Sequence, residues 1–191
     1  MFGMILRVVL LAAVPLITGC ITTLASGDAK EAPEQTRGRI AGIATNGGVA
    51  ALGTGEAWKI SSATEKARKQ ATREAARMAR ARLDAIQRSF MAETGEDKDS
   101  GCEAIFDSAA RFLVDEVLAD AAPASMEYST RDGTTTAYAV VEVSPVAIVA
   151  ALEAAGPSNR ALHSRLTASK TFAALVEDAR KYAELKRQRA I

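Results

Sequence analysis

The chain reads as an α+β protein: a small antiparallel sheet of three to four strands packed by two long helices, with a C-terminal helical extension. Three observations predict it. Alanine recurs at every fourth position from Ala63 to Ala79 and gives way to Leu83, the mark of a helix with one narrow buried face. Asp132-Gly133 stands between two runs of strand-forming residues, where a type I′ hairpin turn belongs. Helical spacing then returns in Ile105, Phe106, Ala109, Phe112, Leu113 and Val117.

Taken in order, the first folded stretch is punctuated by Gly38, Gly42, Gly47, Gly48, Gly53 and Gly55. Arg39 to Thr45 and Val49 to Leu52 suit two short strands, with Asn46-Gly47 as the turn between them. Gly53-Thr54-Gly55 is not a nucleotide loop, because Trp58 stands where the dinucleotide fingerprint needs a third small residue and no Walker Gly-Lys-Ser/Thr follows. These glycines suit a bulge or the turn into the next helix.

Ser62-Ala63-Thr64-Glu65 fits a capping box for that helix. Its buried face continues through Met78, Leu83, Ile86 and Phe90, small at the start and bulky at the end. Between Ser61 and Ala92 its other faces carry eight basic and three acidic residues, with Arg73, Arg77 and Arg80 in one row as candidate partner contacts. Solvation and internal pairing are the default for such a face; anionic lipid or another protein are the alternatives. A second helix spans about Cys102 to Asp120. The segment from Glu93 to Glu127 holds ten acidic and two basic residues, so the opposite blocks favour antiparallel packing of the two helices.

After Pro123 comes the hairpin. Pairing Arg131 with Thr134 sets Tyr128 opposite Ala137 and Met126 opposite Ala139, on a face with Val141 and Val143 that meets the helices. The reverse face carries Thr136, Tyr138, Val140 and Glu142; Tyr138 and Val140 are its candidate contact residues, with plain solvent exposure as the default. Ser144-Pro145 caps a short helix that ends near Gly156-Pro157. Ser158 to Ile191 is amphipathic and basic; docking on the acidic helix is the default, with a partner helix or a membrane surface as alternatives.

The N-terminus says where the protein resides. Arg7 precedes an apolar run from Val8 to Ile17, which is too short for the roughly 20 residues of a spanning helix and has the layout of a secretory signal. It closes on Ile17-Thr18-Gly19-Cys20, which resembles the lipobox of bacterial lipoproteins. The resemblance implies cleavage before Cys20, a diacylglyceryl group on its thiol and an N-acyl chain on its amine. Ile21 follows, and the family's inner-membrane retention signal is an aspartate there, so the outer membrane is favoured. Residues 1–19 are then the signal and 20–37 a lipidated cysteine with a flexible tether, followed by an α+β domain over 38–156 and the extension over 157–191.

Removing 1–19 leaves 172 residues, enough for one core, with 23 basic and 23 acidic side chains. A neutral exported chain has no field to gather nucleic acid. With Cys20 lipidated, Cys102 is either a small buried hydrophobe or one half of an intermolecular disulfide. Catalytic signals are few. The one histidine, His163, reads as a surface residue; Gly-x-Ser-x-Gly does not occur; Cys/His metal clusters are missing; and Glu96 to Ser100 lacks the spacing of a calcium loop. The expectation is a non-enzymatic protein with no cofactor beyond the covalent lipid and no small-molecule substrate.

The order of elements resembles the LPP-twenty-like lipoproteins: Gly53-x-Gly55 on a strand, an Ala-x-x-x-Ala helix, a second helix, a hairpin ending Tyr138-Ala139-Val140-Val141-Glu142-Val143, and a further helix. The resemblance covers roughly Gly38 to Ala155 and the lipobox. It implies an outer-membrane lipoprotein facing the periplasm, with no established enzymatic activity and no catalytic residues to carry over. The expected function is an interaction or structural role in the cell envelope, linked to flagellar or surface assembly through an envelope protein partner. The alternative is a lipoprotein regulator of a peptidoglycan-synthesising enzyme, and a small-molecule binding domain is a third reading.

Overall fold

A computed structural model describes residues 32–96, 101–156 and 159–189. Among the described residues the architecture is α+β: six α-helices and a three-stranded antiparallel sheet in the order β1-β3-β2. The strands are β1 (Val49–Ala57), β2 (Ser125–Arg131) and β3 (Thr134–Val143). The inner face of the sheet presents Val49, Ala51, Ala137, Ala139, Val141 and Val143 to one core shared with the helices.

The first helix, α1 (Glu34–Thr45), corrects the expectation of a strand over Arg39 to Thr45 and shortens the expected tether over 20–37. Thr36, Ile40 and Ile43 are four and three apart, so they share one side of a helix, whereas Ile40 and Ile43 would face opposite ways on a strand. Thr36 and Ile43 are buried. Asn46-Gly47 does form a turn, with Gly47 at φ 77°, but it joins α1 to β1 rather than closing a hairpin.

The long helix α2 (Ile60–Thr94) buries Ala63, Ala67, Ala71, Ala75, Ala79, Leu83, Ile86 and Phe90, the stripe read from the sequence. It starts two residues before the expected capping box. Lys59 sits at the N-cap with no side-chain bond, and Ala63 N already donates to Lys59 O (3.1 Å), so Ser62 caps nothing. Gly95, at φ 72°, ends the helix.

Gly53 and Gly55 form neither a bulge nor a turn, for β1 pairs with β3 without interruption from Val49↔Val143 to Ala57↔Thr135. They admit the helix. A Cβ on Gly53 would lie 2.1 Å from Ala67 O, and one on Gly55 2.2 Å from Ala63 O. Strand glycines against helix alanines bring two backbones together where larger side chains would hold them apart.

Next come α3 (Cys102–Phe112) and a π-helical turn (Leu113–Leu118) that continues it. The wider turn places Leu113 and Leu118, five apart, both in the core. The β2–β3 hairpin has the expected register, Arg131↔Thr134, Tyr128↔Ala137 and Met126↔Ala139, through a turn with positive φ at Asp132 and Gly133. Ser144 Oγ accepts from Ala147 N (3.1 Å) to cap α4 (Pro145–Ala154).

The C-terminal segment is two helices, α5 (Arg160–Thr167) and α6 (Lys170–Arg189), broken at Ser169. Leu162, Leu166, Phe172 and Leu175 join the same core as the sheet, so this segment docks internally, but α6 lies chiefly against α4 and α2 rather than on the acidic helix over Cys102 to Asp120. Glu93, at the end of α2, holds the start of α6: its carboxylate accepts from Lys170 N (2.7 Å), Thr171 N (2.9 Å) and Thr171 Oγ1 (2.9 Å).

Candidate interaction surface

Two surfaces were candidates for partner contact, and the fold treats them differently. Tyr138 and Val140 do lie on the sheet face away from α2. That face is not open, however: Val140 is fully buried in a cluster with Ile40 and Ile43 of α1 and with Ala50 and Leu52, and Tyr138 is buried as well. The correction follows from α1, a helix that lies over the sheet where a strand over Arg39 to Thr45 is expected. Neither residue is available to a partner.

Arg73, Arg77 and Arg80 are all exposed on α2. Arg77 Nε donates to Glu74 (3.0 Å), and Arg80 Nε donates to Asp84 (3.0 Å) while its Nη2 reaches Asp107 on α3. Internal pairing therefore takes two of the three, and Arg73 remains beside a shallow groove with Thr72, Val114 and Ala119. Exposed pairs of this kind each contribute only about 0–1 kcal/mol.

Cys20 and the lipobox residues Ile17, Thr18 and Gly19 lie outside the described residues. Cys102 is 1% exposed in the first turn of α3, in the buried-hydrophobe role. Burial, with Glu96 adding to it, pushes its thiol up to about 11. His163 is half-buried rather than on the surface, its ring against Gly156, where an added Cβ would come within 2.7 Å.

A polar cluster that the sequence did not signal lies where α1, β3 and α6 meet. Lys186 Nζ is 3.5 Å from Glu142 Oε2 and 5.5 Å from the centre of the Tyr182 ring. Arg39, Glu142, Tyr182 and Lys186 line a cavity of about 20 Å³, a volume suited to one water molecule. Such a site joins three elements. Only the pairing of elements far apart in sequence creates it, since Arg39 and Lys186 come from opposite ends of the folded chain.

One exposed apolar cluster was also missed. Trp58 is 79% exposed, Ile60 58% and Tyr128 50%, all at the end of the sheet that carries the Asp132-Gly133 turn. The available signal was Trp58 itself, a lone tryptophan between a strand and a helix.

Among the described residues no group of three or more His, Cys, Asp or Glu stands close enough to hold a metal ion. No helix there is long and apolar enough to cross a membrane. Comparison with protein-family models, with characterised proteins and with solved structures finds no match to the chain.

Proposed function

We propose that this protein is a lipid-anchored, non-enzymatic interaction lipoprotein of the cell envelope, held at the outer membrane through Cys20 with its domain facing the periplasm. One observation carries the reading: Ile17-Thr18-Gly19-Cys20 closes an apolar run, and the first described residue of the domain, Ala32, follows only twelve positions later. Twelve residues reach at most about 40 Å, which keeps the domain near the bilayer that holds its lipid. Each methylene buried there contributes about 0.8 kcal/mol, and two or more chains make an anchor stable where one is marginal.

Membership of the LPP-twenty-like lipoproteins belongs to the same proposal. It draws support from the element order on which the resemblance rests, since a Gly-x-Gly strand, an alanine-faced helix, a second helix, a hairpin and a further helix follow one another in the fold. Work by contact with an envelope partner draws support from the row of exposed arginines on α2. The short distance from Cys20 to α1 favours a partner near the membrane over a wall-synthesis enzyme across the periplasm.

The test is Cys20→Ser. Expected are loss of acyl chains in the mass spectrum of the mature N-terminus, accumulation of the unprocessed precursor, and loss of membrane association resistant to high salt. A variant that is processed and sediments with membranes as the parent does refutes the anchor.

A further inference from the structure

We propose that the hairpin end of the sheet, formed by Trp58, Ile60 and Tyr128, is a bilayer-contact surface that rests in the headgroup region of the membrane carrying the anchor. The inference depends on the anchor reading above. The three exposed side chains lie at one end of the sheet and of α2. The Trp58 ring lies against the hairpin turn, 3.1 Å from where a Gly133 Cβ would be, and Tyr128 Oη is 3.3 Å from the Thr64 hydroxyl, which donates to Ile60 O (2.8 Å).

Their chemistry suits a lipid surface. Tryptophan and tyrosine combine an apolar ring with a polar tip and settle at headgroup level. Exposed Lys59, Lys66 and Arg131 flank the patch, with Glu56 and Asp132 as acidic neighbours. With charge nearly balanced, the apolar and aromatic surface carries the contact.

The tether keeps the patch within reach of the bilayer: the twelve residues from Cys20 to Ala32 extend at most about 40 Å. Tethering makes the contact effectively intramolecular, so three side chains too few to hold a free protein on a membrane suffice to orient an anchored one.

Trp58 is the only tryptophan in the chain, so its fluorescence reports the patch without ambiguity. The experiment uses the mature lipoprotein in phosphatidylethanolamine/phosphatidylglycerol vesicles, with acylation established by mass spectrometry. Lipids brominated near the headgroup and aqueous iodide serve as the two quenchers. Expected are a blue-shifted emission, quenching by the brominated lipid, and several-fold weaker quenching by iodide than in Ile60→Asp. That variant keeps its fold, because residue 60 is exposed at the first position of α2, where an acidic side chain suits the helix dipole. Trp58 equally open to iodide in both proteins and untouched by brominated lipid overturns the inference. Shielding from iodide without quenching by brominated lipid also overturns it, and assigns the patch to a second copy or another protein. A mature protein without acyl chains removes the anchor reading, and this inference falls with it.

Discussion

At Gly53 and Gly55 a single carbon decides whether the sheet and its longest helix can meet. In Gly53→Ala the new methyl collides with the backbone of Ala67 and Ala71, which no side-chain rotation relieves. A cost of about 3 kcal/mol or more is expected from such overpacking. For a domain of this size it lowers the melting temperature by about 6–12 °C, which calorimetry reads directly. Gly38→Ala, where nothing lies within 4 Å of the added carbon, is the control and leaves the transition in place or raises it. Cys102 makes the second prediction at this scale. With its thiol pushed up to about 11, only about one part in a thousand is thiolate at pH 8, and burial keeps reagents out. A thiol-specific dye should find nothing in the native mature protein and one cysteine after denaturation, since a lipidated Cys20 has no free thiol. Two reactive thiols count against the lipid, and fast native labelling counts against the burial.

Between elements, the contact that was hardest to foresee is the capping of α6 by Glu93. Backbone N–H donation from Lys170, then from Thr171, holds the Glu93 carboxyl below the usual carboxylate range. Because the folded value is depressed, its stabilising contribution is complete above the ordinary carboxylate pKa of about 4.3 and disappears as pH falls through the lower folded value. Hydrogen exchange at Lys170 and Thr171 should therefore be faster in Glu93→Ala than in the parent at pH 7, and the two should converge in acid. A difference that persists unchanged at pH 2 contradicts the assignment. The hairpin lies at the other extreme. Its register was legible because Asp132-Gly133 dictates the turn and the turn dictates every pair after it. α1 was not legible, since glycines at 38 and 42 lower helix propensity and only burial on the sheet repays it.

For the molecule as a whole, position and shape come from different parts of the chain. The proposed location rests on the apolar run and Cys20; the surface presented there rests on residues 32 to 189. The two proposals join them: an anchor twelve residues from the first described residue, and an exposed tryptophan patch on the body it tethers. The C-terminal segment stabilises that body, because Leu166, Phe172 and Leu175 complete its core. Deleting residues from Lys170 onward should expose that apolar surface and turn a cooperative melt into an aggregating one, measurable by light scattering during heating.

The sequence by itself determined what local chemistry decides. It specified the class of the fold, the stripe on α2, the hairpin register, the Ser144 cap and the signal-like N-terminus, each written in residues at most a few turns apart. Tertiary structure alone decided which face of the sheet is covered, why Gly53 and Gly55 are glycines, and where Glu93 and Lys186 find their partners. Those depend on contacts between elements tens of residues apart, and a one-dimensional period carries no record of what lies across the core.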